Sequence, residues 1–441
     1  MTHKFTFVDL FAGIGGFHAA LEGMGGKCVA AVEIDEKAAA VYERNWGLNP
    51  LGDITELAND EHVKIPKHDV LVAGFPCQPF SKSGAQKGMD ETRGTLFWNI
   101  LRIIEVHKPA MVLLENVRNL AGPRHRHEWD VIIQTLRDEG YRVSSKPAIF
   151  SPHLLPPELG GRPQVRERVF IAATYAGKDA IFLELEADAV VTHSPKNGWD
   201  PNTWNLKKHL PLLNSRRVAG TQLSDDEVLW IDAWDDFVVQ MLKIRKGQKL
   251  PGFPLWADHW VELSDLKIPT GTPSWKVDFL TKNSMFYTEY KTALDKWTAK
   301  WGIYSDSFPP SRRKLEWQAQ DATSLWETVM HFRPSGIRAK KPTYLPALVA
   351  ITQTSIIGSL KRRLSPREAA RLQGLPDSFD FGNQRDSLTY KQLGNGVNVG
   401  VIWYVLKEHA KRDSDLLEKY SPKLLKAIKS SPECPDAILE K

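Results

Sequence analysis

Short apolar runs alternate with stretches of helical pattern from Phe5 to about residue 175, and few folds accept that rhythm. Phe5–Asp9 reads as a strand, then a glycine-rich turn, then a helix near Gly16–Met24. Cys28–Glu33 reads as a second strand and Glu36–Asn45 as a second helix. Val70–Ala73 and Met111–Leu114 are short apolar strands, Glu128–Asp138 is helical, and Arg168–Ala173 closes the series as a strand. Short buried strands alternating with helices predict an α/β domain with a doubly wound, mostly parallel sheet covered on both faces.

The rhythm stops after Ala176. Residues 178–345 show no sustained alternation and hold eleven of the chain's fifteen tryptophans, a composition shift that marks a second, smaller domain. Helical pattern returns at Ser365–Leu372 and Tyr390–Glu408. The expected division is therefore 1–177, 178–345, a return to the first domain over 346–410, and a charged peripheral tail, 411–441, read as one helix and a loose end. No apolar run approaches the roughly 18 to 20 residues of a membrane span. Met1–Leu10 lacks a basic segment followed by a long apolar one, so no signal peptide is expected. Three scattered cysteines, Cys28, Cys77 and Cys434, fit neither a disulfide framework nor a zinc site, and a reducing cytosol is the expected compartment. The net charge of +5 permits a nucleic-acid partner without requiring one.

Five segments carry residues suited to chemistry. Asp9-Leu-Phe-Ala-Gly13-Ile-Gly15-Gly16 lies between a strand and a helix, where glycines let the backbone approach a ligand and a helix N-terminus offers free amides. It is not G-x-G-x-x-G, which argues against a nicotinamide enzyme. Glu33 ends the next strand, where a doubly wound sheet faces the ribose of a nucleotide-like cofactor. Gly74-Phe75-Pro76-Cys77-Gln78-Pro79-Phe80-Ser81 sets a cysteine between two prolines just past a strand. A lone cysteine is most often a small buried hydrophobe, but this one sits among turn residues. Leu114-Glu115-Asn116-Val117 puts a carboxyl at a strand end, where an apolar setting raises its pKa and makes it an acid. Gln164-Val165-Arg166-Glu167-Arg168 sets two guanidinium groups on one face. Gln392-Leu-Gly394-Asn395-Gly396-Val397 is a second glycine-rich entry to a helix.

In this order the segments resemble the motif series of the DNA (cytosine-5) methyltransferase family. "DLFAGIGGF", "VEID" and "GDI" resemble its cofactor segments, "GFPCQPFSKSG" its catalytic loop, and "LLENV" and "QVRER" its base-binding motifs. "LSPREAARLQGLP" and "YKQLGNGVNV" resemble its last two motifs, so the likeness covers residues 5–175 and 364–408. The resemblance implies a fold typical of S-adenosylmethionine-dependent methyltransferases, with residues 178–345 as a target-recognition domain. It implies Cys77 as the nucleophile, Glu115 as the group holding a proton at ring N3, and Arg168 with Arg166 as holding the base and the catalytic loop. For S-adenosylmethionine it implies Phe11, Ile14, Gly16, Glu33, Ile34, Asp53, Ile54, Pro76, Leu96, Asn395 and Val397, with S-adenosylhomocysteine as product and no metal. Ser81 and Ser83 are expected on DNA beside the flipped cytosine. A prokaryotic restriction–modification role follows, in a cytosolic monomer acting on double-stranded DNA beside a separate endonuclease. A tRNA-modifying branch of the same family carries a further cysteine motif, and no cysteine lies between Cys77 and Cys434 here. A silent DNA-binding protein on this scaffold would be signalled by loss of the cysteine or the glutamate.

Charge adds one expectation. Ser311–Lys341 holds seven basic residues against three acids. This predicts a DNA-facing surface on which Arg333 or Arg338 touches a base while Arg312 and Arg313 touch phosphates.

Overall fold

The computed structural model describes residues 3–76, 95–213, 217–348 and 354–439, without the side chains of Phe182 and Leu183. Two compact units emerge: residues 1–211 with 346–350 and 366–441, and residues 212–345 with 351–365. The position expected as the first boundary, 177/178, lies inside the first unit.

The first unit is built on strands β1 (Phe5–Leu10), β2 (Gly26–Val32), β3 (Val70–Gly74), β4 (Met111–Val117), β5 (Tyr141–Val143), β6 (Ala148–Phe150) and β7 (Arg168–Tyr175). Their order is β2-β1-β3-β4-β7-β5, with β6 also on β7. The pairs β1–β2, β1–β3 and β3–β4 are parallel, and β7 runs antiparallel to β4, β5 and β6. The sheet is thus mixed, with β7 the one reversed strand among those described. Helices α1 (Gly16–Gly23), α2 (Glu36–Trp46), α3 (Leu96–His107) and α4 (Arg126–Asp138) connect the strands. Asp35 caps α2 by accepting from Lys37 N and Ala38 N at 3.0 and 3.2 Å, and Gly47 in the left-handed region ends it.

The sheet buries both faces, which is why its strands read as nearly continuous apolar runs. Val8, Leu10, Leu71, Ala73, Val112, Leu114 and Ile171 share a core with Phe97, Ile100, Ile104, Ile132 and Leu136 of α3 and α4. Phe7, Val70, Val72 and Leu113 are equally buried on the other side.

The second unit holds two long helices, α5 (Asp225–Ile244) and α6 (Ser274–Trp301). Its sheet runs β13-β12-β10-β11-β9-β8, from β8 (Leu255–Trp256), β9 (Lys314–Gln318), β10 (Val329–Arg333), β11 (Gly336–Lys340), β12 (Ile356–Ile357) and β13 (Arg362–Arg363). Ser224 and Glu227 form a reciprocal cap that starts α5. Tryptophan makes this core. Trp234, Trp260 and Trp297 are buried, the Trp234 and Trp297 rings are 4.8 Å apart, and their indole N–H groups donate to Arg312 O and Ala233 O at 2.8 Å. Fully buried Asn283 accepts from Trp256 N at 2.7 Å and donates to Pro254 O and Phe279 O. The aromatic richness is therefore mostly interior.

The chain then returns to the first unit as α7 (Pro366–Leu372), α8 (Asp386–Asn395), α9 (Val399–Arg412), α10 (Ser414–Tyr420), α11 (Pro422–Ser430) and α12 (Asp436–Leu439). The helix expected over Tyr390–Glu408 is two helices. Gly396 leaves the first in an extended conformation, and the Asn398 side chain caps the second through Val401 N at 3.0 Å. The tail also differs from expectation. Leu417, Leu424 and Leu425 are buried, Trp403 Nε1 donates to Pro432 O at 2.9 Å, and Arg162 pairs with Asp436 at 2.6 Å. Residues 411–439 are packed structure, because a leucine stripe hides among their charges.

Candidate active site

The first wall of the site is the turn after β1. Phe11, Gly13 and Gly15 all have positive φ, of 55°, 55° and 91°. That sequence of left-handed residues swings the chain off the sheet into α1 and needs glycine at most positions. Glu33, at the end of β2, fastens the turn. One carboxylate oxygen accepts from Gly13 N and the other from Asp35 N, each at 2.8 Å. Trp46 Nε1 donates to Ile14 O at 3.1 Å, and a Cβ on Gly15 would lie only 2.0 Å from that nitrogen. A Cβ on Gly16 would lie 2.7 Å from Val397, so the two glycine-rich turns close on each other. Asp9 sits fully buried beneath, and burial pushes its carboxyl well above the usual range.

The second wall is a row of neighbouring strand ends. Register sets Gly74 opposite Glu115 and Val117 opposite Arg168. Glu115 is 7% exposed, and its Oε1 lies 2.9 Å from Arg168 Nε, close but not aligned for a hydrogen bond. Burial pushes the Glu115 pKa up, the Arg168 and Arg166 charges pull it down, and burial wins. Asn116 Nδ2 donates to Phe75 O at 2.8 Å and so ties β4 to the main chain two residues before Cys77. Cys77, Ser81 and Ser83 lie outside the described residues.

Arg166 does something the sequence did not suggest. It is 2% exposed and donates to Gly394 O at 3.0 Å and Gly396 O at 2.5 Å. Burial and the nearby Arg168 charge lower its pKa to about 9. Its guanidinium braces the second glycine-rich turn, whereas Arg168 lines the cavity between the walls.

That cavity holds about 580 Å³. Of the expected residues, Phe11, Ile14, Gly16, Glu33, Pro76, Glu115, Arg168, Asn395 and Val397 line it. Ile34, Asp53, Ile54 and Leu96 do not. Asp53 Oδ1 is engaged by Thr55 N and Oγ1 at 2.8 and 2.9 Å, Ile54 is buried in the sheet core, Leu96 packs against that core, and Ile34 is 69% exposed. Asn116, Asp35 and Lys391 line the cavity and were not expected there; Lys391 reaches Asp35 at 3.6 Å. Asn116 was legible, since it stands inside the quoted "LLENV".

The model of the C-5 cytosine-specific DNA methylase family matches residues 5–411. The chain belongs to this family. The methylase is 51% identical to the Type II methyltransferase M.AluI of Cellulosimicrobium cellulans, with 94% of each chain covered. It is 42% identical to the Type II methylase M.HgiEI of Herpetosiphon aurantiacus, over 90% of this chain and 95% of that one. It is 30% identical to the Type II methyltransferase M.HhaI of Haemophilus parahaemolyticus, over 90% and 92%.

The methylase's second unit sorts the four arginines expected on DNA. Arg312 is 9% exposed, lies 5.2 and 4.6 Å from the Trp230 and Phe332 ring centres, and donates to Arg333 O at 3.0 Å. Arg313 donates to Phe308 O at 2.7 Å and pairs with Asp258 at 3.1 Å. Both guanidinium groups are engaged within the unit. Arg338 pairs with Glu316 at 2.6 Å, and no side-chain hydrogen bond or ion pair engages Arg333 among the described residues. No described helix is long and apolar enough to cross a membrane.

Proposed function

We propose that this methylase moves a methyl group from S-adenosylmethionine to carbon 5 of a cytosine flipped out of a short, specific double-stranded DNA sequence, leaving S-adenosylhomocysteine. The observation that carries the reading is the convergence of Glu115, Arg168 and the Phe75–Pro76 main chain on a cavity walled by glycine-rich turns. A reactive carbon inside a stacked duplex is out of reach, so flipping is required.

The cavity fits the donor. Its volume lies in the range of small-molecule sites, its wall lacks a Cβ at Gly16 where the backbone must come close, and Glu33 keeps spare acceptor capacity. Phe11 would stack on adenine, Ile14 and Gly16 would meet the methionine part through main-chain atoms, and Glu33 would take the ribose hydroxyls. Pro76, Asn395 and Val397 would line the rest. Asp53 would take the adenine amino group with Ile34 and Ile54 beside the ring, and Leu96 would complete the surroundings, all from outside the cavity wall. When bound, the donor supplies an electrophilic sulfonium methyl.

The chain's own residues supply the remainder. The Cys77 thiolate adds to carbon 6, and Glu115 holds a proton at N3, so carbon 5 becomes enamine-like and nucleophilic. Arg168 engages the base O2 opposite Glu115. Arg166 acts at one remove, bracing the Gly394–Gly396 turn. A base then takes the carbon-5 proton and the thiolate leaves. Ser81 and Ser83 contact DNA beside the vacated position. The Type II names of the relatives support a restriction–modification role. The proposed setting is a cytosolic monomer with a separate endonuclease.

Incubation with methyl-labelled donor and either duplex DNA or tRNA tests the reading. Label is expected in DNA alone, and a duplex carrying 5-fluorocytosine at the target should trap a denaturant-stable adduct. Label in tRNA alone, or no adduct in a single turnover, would refute it. Glu33→Ala is expected to weaken donor binding by about 1.5–3 kcal/mol, the scale of a charge-assisted hydrogen bond, with further loss because Gly13 N also loses its acceptor. Calorimetric titration checks this, and unchanged affinity would remove Glu33 from the site.

A further inference from the structure

The sheet of the second unit has two unlike faces. Alternation turns Leu315, Trp317, Met330, Phe332, Ile337 and Ala339 into the tryptophan core. Glu316 pairs in register with Arg338, and Arg338 with His331, so these three form one polar row across β9, β11 and β10. Lys340 lies two residues along β11 and Arg333 two residues along β10, on the same face. Gly336, opposite Arg333, has no side chain, and a Cβ there would meet Lys314 Cβ at 2.9 Å.

The charge on this face is unbalanced. Arg333, Arg338, Lys340 and Lys314 stand on this face of the three strands with one carboxylate, Glu316, which binds Arg338 through both Nε and Nη2 at 2.6 Å. Arg333 and Lys340 both have lowered pKa values, from burial first and then from the neighbouring guanidinium groups. Partly buried cations that repel one another are stabilised by an anionic partner, and strands about 4.8 Å apart space them like a small grid. A single bound anion would need only one of them. A duplex offers what the grid fits, phosphates at its margins and guanine acceptors in its major groove.

Building on the DNA-methylase reading above, we propose that this polar sheet face lies against the duplex, with Arg333 reading a guanine edge, Lys340 on a phosphate, and Glu316 holding Arg338 in place as a second reader. The two readers then stand on the face of a sheet. The assignment also makes Glu316 a specificity-determining positioning residue that touches no base itself. A carboxylate facing DNA weakens all binding, and its benefit here is a guanidinium fixed in one orientation.

The test uses the full-length enzyme. Bisulfite sequencing of plasmid DNA methylated by the wild type gives the target. Anisotropy titrations over a salt series then compare duplexes with and without it. Arg333→Lys keeps the charge and loses the planar fork, so preference for the target should fall about 5- to 150-fold, with methylation relaxed at one base pair. Lys340→Ala should weaken both duplexes alike and reduce the salt slope by about one unit. Glu316→Gln should tighten binding to the non-target duplex while lowering preference for the target, a sign that mere structural damage does not produce. Three folded variants within twofold of wild type, at an unchanged target, would overturn the proposal. Uniform weakening at an unchanged target would also overturn it, leaving phosphate contacts only. A wild type that methylates no DNA would overturn the DNA-methylase reading first, and this face with it.

Discussion

Cys77→Ser is expected to lower methyl transfer by at least ~10⁴-fold while leaving donor affinity within about twofold, since removing a covalent nucleophile abolishes the step it begins. A serine hydroxyl is almost wholly protonated near neutral pH, whereas an ordinary thiol is already a few per cent thiolate and intrinsically far more nucleophilic. The structure gives the expectation a setting. Asn116 Nδ2 anchors Phe75 O, and Gly74 stands opposite Glu115 in the sheet. Single-turnover transfer with labelled donor, paired with calorimetric titration of the donor, separates the two quantities. Near-wild-type turnover by the serine variant would remove Cys77 from the mechanism.

Glu115→Gln should cost about 10²- to 10⁴-fold in turnover, the span over which a positioned acid is felt. Glutamine keeps the shape and a hydrogen-bond donor but cannot hand over a proton. The pH dependence carries the sharper signature. Burial raises the Glu115 pKa, so the required acid form persists above the ordinary carboxylate range and is lost as pH rises through the raised value. Turnover by the wild type should therefore decline on that alkaline side, and the glutamine variant should lose this limb. The same shift bears on stability. Folded Glu115 holds its proton more tightly than the unfolded chain does, so its contribution is fully present at low pH and falls as pH climbs from the ordinary to the raised value. A glutamine variant with an unchanged pH profile would show that Glu115 is not the titrating acid.

Much of the first unit was legible in the sequence because both faces of its sheet are buried. Runs such as Val70–Ala73 and Met111–Leu114 announce themselves, and the polar residues that follow them stand at strand ends by necessity. Glu33 and Glu115 were found that way, and Arg168 from the alternation that leads into β7. Arg166 was harder, since the carbonyls it braces lie 228 and 230 residues away and no local pattern records them. The long helices α5 and α6 escaped notice for another reason. In α5, Asp232, Asp235 and Asp236 interrupt the apolar stripe, and they are there to receive Trp326, Ser324 and Trp301 from elsewhere in the unit. Arg312 misled in the opposite sense. Beside Arg313 and Lys314 it reads as one of three solvated cations, yet it is held between two aromatic rings.

The interruption of the first unit by the second has a consequence for the order of events on the ribosome. Gly16 and Val397 meet at the wall of the cavity, but Val397 is synthesised 381 residues later. At ~5–20 residues per second that interval is about 20 to 75 s. Throughout it the sheet exists without α9 and the tail helices. The second unit is complete, apart from residues 351–365, well before the first can close. A nascent chain therefore finishes most of its second unit while the wall that Gly16 shares with Val397 is still open.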